Sequence, residues 1–210
     1  MVNVKLYSAI ADLSDKTGIQ DIVKSVPRTD ILINNLGIHE QKYFESLTDE
    51  DWLKIFEINV LSGVRLSQYY LSQMRKSNWG RIVFISSHRA INVSVGLIHY
   101  AATKAAQLAI ARGLAEVTAG TGITVNSLLL GSIRTESVDA SLEQLVKKTG
   151  KSAEELEKAY INTTNPIPLI RRLVTATEVA TQVVFVCSPL ASAVTGAAIN
   201  IDGGVISSIT

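Results

Sequence analysis

The sequence predicts a doubly wound α/β domain, a parallel sheet covered by helices on both faces, and three observations lead there. Apolar runs recur at 30–35 (DILINN), 81–86 (RIVFIS), 121–131 (TGITVNSLLLG) and 197–201 (AAINI). Short runs of this kind, bounded by polar residues, suit strands buried on both faces. Longer segments of helical periodicity lie between them, and strands alternating with helices build a parallel sheet. The third observation is composition. Of 210 residues, 47% are hydrophobic, 19% charged and 6% aromatic, the profile of one globular domain (1–210) with an aliphatic core.

Taken in chain order, residues 2–10 (VNVKLYSAI) mix β-branched and apolar side chains and read as a first short strand. Asp12-Leu13-Ser14-Asp15 offers a helix start, and Pro27 closes that helix near Ser25. Thr48 and Asp51 have capping-box spacing, with Asp in place of Glu. They open a long helix to about Lys76 that carries Trp52, Phe56, Val60, Gly63, Ser67 and Tyr70 along one face. Another helix covers roughly His99–Ala119, and one lies near Thr177–Cys187. Residues 136–165 are polar and helical in pattern, closed by Pro166 and Pro168.

Bulk properties narrow the function. A net charge of +1, with no basic stripe or aromatic platform, argues against nucleic acid or a charged membrane surface as partner. Cys187 is the only cysteine, which rules out an internal disulfide and suits a reducing compartment. His39, His88 and His99 stand at none of the usual ligand spacings, so no metal site is expected. The opening MVNVKLYSAIADL has neither a basic n-region nor an extended apolar run. The expected location is cytoplasmic.

Chemistry enters at His99-Tyr100-Ala101-Ala102-Thr103-Lys104. Four-residue spacing puts Tyr100 and Lys104 on one helical face. A free phenol has a pKa of about 10, and an adjacent ammonium favours the phenolate. A tyrosine and a lysine on the solvated edge of an ordinary helix would show the same spacing. Ser86 and Ser87 end the strand 81–86, thirteen residues before Tyr100, and parallel-sheet sites form beyond the carboxyl ends of strands. A serine there can hold a carbonyl oxygen while Tyr100 exchanges the proton, although two serines after a strand also serve as a cap or a turn. Asn34-Asn35-Leu36-Gly37 ends the strand 30–35, and Asn59 sits in the middle of the long helix. Asn is a poor helix-interior residue, so Asn59 is there either to satisfy structure or to position a ligand or water.

The order and spacing of N-N-x-G, a mid-helix Asn, Ser and Y-x-x-x-K resemble the short-chain dehydrogenase/reductase family, and the resemblance runs from ADL at 11–13 to TGAAINIDGG at 195–204. It implies a Rossmann-like fold and a catalytic tetrad of Asn59, Ser87, Tyr100 and Lys104. In that reading Tyr100 is the general acid/base and Lys104 lowers its pKa and grips the nicotinamide ribose. Ser87 orients the carbonyl, and Asn59 holds a water in a proton relay. For the cofactor, NAD(P), the resemblance implies contacts from Asp12, Leu13, Asn34, Gly37, Gly131, Ile133 and Thr135, besides Tyr100 and Lys104. The reaction implied is reversible hydride transfer between the cofactor and a small-molecule carbonyl or alcohol. Residues 136–168 correspond to a substrate lid, whose charges are expected to solvate an outer face. His39, His88, Arg89, Ile91 and Val93 are expected to line the substrate pocket. The Ala-rich helix after Tyr100 matches helices that form a homodimer or homotetramer.

The chain also departs from that pattern. Leu36 and Leu130 replace the usual Ala and Pro, and no G-x-x-x-G-x-G turn occurs. Residues 2–10 match the family's third strand, so the fold is expected to lack the first two strand–helix units, the Gly-rich turn and the residues that choose NAD or NADP. Residues 30–35 would then expose a strand edge, unless 2–10 pair with it directly. The alternative to an oxidoreductase is a non-catalytic module that keeps the fold for binding.

Overall fold

The computed structural model describes residues 4–163 and 167–208. Its centre is a parallel sheet of β1 (Ile31–Asn34), β2 (Gly80–Ser87), β3 (Ile123–Leu130) and β6 (Ala198–Ile201), in that spatial order. A two-stranded parallel ribbon, β4 (Ile133–Arg134) with β5 (Val174–Thr175), stands beyond the end of β3. The helices are α1 (Lys16–Ser25), α2 (Asp49–Phe56), α3 (Ser62–Ser77), α4 (Ile98–Val117), α5 (Glu136–Thr149), α6 (Ala153–Thr163) and α7 (Ala176–Cys187).

Strand alternation divides the core between the two faces. Ile82 and Phe84 of β2 join Leu66, Tyr70 and Met74 of α3 and Ala111 and Ala115 of α4. Val83 and Ile85, pointing the other way, meet Leu128 of β3 and Val186 and Cys187 of α7. Successive side chains of a strand face opposite layers, so the unbroken apolar runs supply both cores at once. β2 is buried along its whole length.

Local signals set the helix ends. The Asp15 carboxylate accepts from the Gly18 backbone N–H at 2.8 Å and caps α1. Thr48 and Asp51 form the expected capping box on α2. The long helix is not one regular element, however. A π turn at Glu57–Leu61 separates α2 from α3. Asn78 ends α3 in the left-handed region (φ 48°) and accepts from Gly122 N–H at 3.2 Å, tying the end of α3 to the approach of β3.

Residues 4–10 correct the reading of a first strand; residues 2 and 3 lie outside the described residues. They form no strand, and Leu6, Tyr7 and Ile10 are almost wholly exposed. β1 pairs only with β2 among the described residues, so 4–10 do not take its free edge. β-branched content creates a strand only where a neighbouring strand receives it. Residues 136–163 of the polar stretch form two helices with a break at Gly150, whose φ of 70° ends α5; residues 164–166, Pro166 among them, lie outside the described residues.

Candidate active site

The carboxyl end of β2 delivers Ser86 and Ser87, and two 3-10 turns then return the chain as α4 across the same strand ends. Ser86 Oγ donates to the Lys104 carbonyl at 3.0 Å, pinning α4 to the strand it crosses. Lys104 Nζ donates to the Ile85 carbonyl at 2.8 Å and lies 5.7 Å from the Tyr100 ring centroid. The four-residue spacing therefore places both side chains at the strand end, and it is β2 that anchors the ammonium.

Asn59 occupies the π turn and is 1% exposed. Its Oδ1 accepts from Ile38 N–H at 2.8 Å, and its Nδ2 donates to the Ile38 carbonyl at 2.9 Å and to Thr103 Oγ1 at 3.0 Å. Thr103 Oγ1 donates onward to the Tyr100 carbonyl at 2.7 Å. The Asn59 backbone carbonyl accepts from Gln107 Nε2 at 2.6 Å. One side chain thus ties the loop after β1, the π turn and the first turns of α4. π turns often mark functional sites because they release backbone groups from the regular ladder.

Two cavities meet at Tyr100. A cleft of about 210 Å³ is lined by Asn35, Gly37, Ile38, Ser86, Lys104 and Leu130. A larger cavity of about 650 Å³ runs from Arg89 and Leu97 to Leu142, Leu156, Tyr160 and Leu173. His39, Ser87, Tyr100, Gly131 and Ile133 border both. Gly37 lies against the ammonium, since a Cβ there would come within 3.4 Å of Lys104 Nζ. A polar cleft floored by a glycine and a lysine, opening beside a phenol and a larger cavity with apolar walls, fits the nicotinamide and ribose half of a dinucleotide.

Burial governs the ionisation of the reactive pair. Desolvation raises the Tyr100 phenol above its ordinary value, and a hydrogen bond with Ser87 and the charge of Arg89 only partly offset it. Desolvation also lowers Lys104, to about 8. The expected lowering of the phenol by its lysine is not met in the protein alone, because both groups are themselves withdrawn from water. His88 is lowered by burial and has Nδ1 3.0 Å from the Leu130 carbonyl, which fits a neutral ring donating from that nitrogen.

Of the residues singled out from the sequence, Gly37, Ser87, Tyr100, Lys104, Gly131 and Ile133 border the cleft, and Thr135 borders the larger cavity while capping α5. Asn59 stands behind them as a brace. Asn34 is buried and donates to Ser67 Oγ at 3.3 Å, outside both cavities. Asp12 and Leu13 border neither. Asp12 accepts from Ser14 N–H at 2.9 Å ahead of α1, and Leu13 packs against the core. The pocket expectation holds for His39, His88 and Arg89. It fails for Ile91 and Val93, which are exposed and border neither cavity. Glu157 also corrects the reading of the lid charges as outward, since it lines the cavity and accepts from Leu173 N–H at 3.0 Å. Asn35, part of the polar set that ends the strand 30–35, lines the cleft, whereas reading the sequence missed Ile38, Thr103 and Gln107. Gln107 had one signal, a large polar residue in an Ala-rich helix one turn beyond Lys104.

Serine, tyrosine and lysine gathered at parallel strand ends, beside a cleft that fits a nicotinamide, define an oxidoreductase of the dinucleotide-binding α/β class. The chain belongs to the short-chain dehydrogenase/reductase family: a family model described as Enoyl-(Acyl carrier protein) reductase matches residues 9–206. It is similar to the uncharacterized oxidoreductase YvaG of Bacillus subtilis (strain 168), with 41% identity over 97% of this chain and 77% of that protein. The 3-oxoacyl-[acyl-carrier-protein] reductase FabG of Aquifex aeolicus is 33% identical over 93% of this chain and 73% of its own length. Among solved structures, L-sorbose reductase from Gluconobacter frateurii complexed with NADPH and L-sorbose superposes with a TM-score of 0.85 at 27% identity, covering 95% of this chain and 76% of that one.

Proposed function

We propose that this protein catalyses reversible hydride transfer between NAD(P)H and a carbonyl compound, with Tyr100 as the proton donor. The observation that carries the reading is that Ser87 and Tyr100 stand where the cleft meets the larger cavity, with Lys104 lining the cleft beside them. NADPH bound in the related sorbose reductase supports the choice of cofactor. The nicotinamide, when bound, supplies the hydride to the carbonyl carbon or takes it from the alcohol. Gly37, Lys104, Gly131 and Ile133 are the residues that would hold it.

In the reducing direction a carbonyl oxygen placed between Ser87 and Tyr100 accepts a hydrogen bond from Ser87 and the phenolic proton from Tyr100. The raised phenol pKa keeps that proton in place until charge develops on the oxygen. Lys104, held by Ile85, offsets the negative charge left on Tyr100. Helices α5 and α6 form the outer wall of the cavity and act as the substrate lid. Arg89 faces the cavity with no carboxylate partner among the described residues, which favours carbonyl substrates bearing an acidic group.

A cytoplasmic location and a homodimer or homotetramer belong to the same reading; α4 turns Ala105, Ala109 and Gly113 outward, a surface that permits close helix packing. No helix among the described residues is long and apolar enough to cross a membrane.

The test is fluorescence titration of the full chain with NADPH and NADH, followed by turnover on a panel of neutral and acidic ketones. Micromolar binding with Tyr100-dependent turnover is expected. Absence of both sinks the reading. Arg89→Leu should raise KM for acidic ketones and leave neutral ones unchanged.

A further inference from the structure

Gln107 is 1% exposed and lies one turn beyond Lys104 on α4. Both ends of its amide are used. Nε2 donates to the Asn59 carbonyl at 2.6 Å, and Oε1 accepts from Lys104 Nζ at 3.3 Å. The neighbours fix this orientation, because a carbonyl accepts and an ammonium only donates. We propose that Gln107 is a positioning residue of the reactive site, a neutral bridge between the Asn59 carbonyl and the Lys104 ammonium that holds Lys104 without cancelling its charge.

The surroundings of Lys104 explain why neutrality matters. From β2 it meets the Ile85 carbonyl, from the loop after β1 it meets Gly37, and from its own helix it meets Gln107 and Tyr100. Tyr100 is the only titratable group in that set. Arg89 and His39 bear on Tyr100 from the cavity side. Burial alone pulls Lys104 down to about 8, with no charged neighbour contributing. An acceptor hydrogen-bonded to the charged form opposes that pull. A carboxylate at 107 would oppose it more strongly, but would also neutralise the charge that Tyr100 and a bound ribose require. An apolar residue would leave the Asn59 carbonyl unpaired in the π turn. The amide satisfies both demands.

The consequence for turnover rests on the hydride-transfer reading, but the bridge is testable without turnover. The full chain labelled with [15N]lysine is titrated by NMR, the Lys104 resonance being assigned by its loss in Lys104→Met. Gln107→Met should lower the Lys104 midpoint by about 0.5 or more and Gln107→Glu should raise it by a similar amount, with thermal melting confirming that each variant is folded. A midpoint that moves in neither folded variant overturns the proposal. Where a variant does not fold, the parent decides: in protein labelled with [15N]glutamine, the Gln107 side-chain amide resonance must titrate together with Lys104, and an invariant resonance rejects the bridge. In assays, the alkaline limb of carbonyl reduction should move with the Lys104 midpoint. Lack of turnover in the parent, with a Lys104 midpoint that still responds to Gln107, supports the bridge and overturns only the oxidoreductase reading.

Discussion

The floor of the reactive site and the wall of its larger cavity are built in opposite ways. On the floor, Asn59, Thr103, Lys104 and Gln107 are all buried, and every link between them is a hydrogen bond inside the core. On the wall, α5 and α6 are joined to the body through partly exposed ion pairs. Arg134, in β4, pairs with Asp139 of α5 at 2.7 Å and with Glu157 of α6 at 3.1 Å. Buried networks are costly to break and hold one geometry, whereas surface ion pairs contribute little and exchange readily with water. The difference assigns precision to the floor and adaptability to the wall.

The largest expected effect tests the floor's chemistry. Tyr100→Phe keeps the ring and removes the proton, so kcat should fall by roughly 10²–10⁴-fold with folding unchanged, as general acid catalysis allows. A variant that retains turnover would remove Tyr100 from the reaction.

The second prediction concerns pH. The Lys104 ammonium is held at about 8 in the folded protein against an ordinary value of 10.5. Between those values the unfolded chain binds more protons, so stability rises with pH across that window. Relative to Lys104→Met, the parent should gain on the order of 3 kcal/mol between pH 7 and pH 10.5, measured by urea unfolding. A constant difference would mean that Lys104 is not desolvated.

Third, Asn59→Leu strands the Ile38 N–H and releases Thr103. It should cost about 2–3 kcal/mol in unfolding free energy, read by the same method. The smallest effect belongs to the wall. Glu157→Gln keeps an acceptor for Leu173 and loses only the ion pair with Arg134. It should change KM by about fivefold or less and leave the unfolding transition in place. A large loss of stability there would erase the contrast between floor and wall.

What the sequence disclosed depended on whether a residue's role was local. Asp15 and the Thr48–Asp51 pair announce helix starts because capping needs only residues a turn apart. The strands 31–34, 80–87, 123–130 and 198–201 were legible because burial on both faces leaves an unbroken apolar run. Residues 4–10 carry similar side chains without a partner strand, and nothing in their own sequence distinguishes the two cases. Tyr100, Lys104 and Ser87 were readable as a spaced set. Gln107 and Thr103 were not, since their meaning comes from a carbonyl and an amide more than forty residues earlier in the chain. Glu157 looked like one more charge on a polar helix, and only its contacts with Leu173 and Arg134, distant in sequence, reveal that it lines the cavity.

The π turn at Glu57–Leu61 carries a constraint on chain length. Ile55, Asn59, Gly63 and Ser67 all face inward, although steps of four residues drift around a regular helix by about 40° each. The wider turn absorbs that drift. It lets α2 face the start of α4, where Trp52 meets His99 at 6.1 Å, while α3 faces the sheet. Removing one residue from this segment would rotate one half of the helix by about 100° relative to the other. Between the cap at Thr48 and the cap at Asn78 the chain can therefore exchange side chains on its exposed face, but its residue count is fixed.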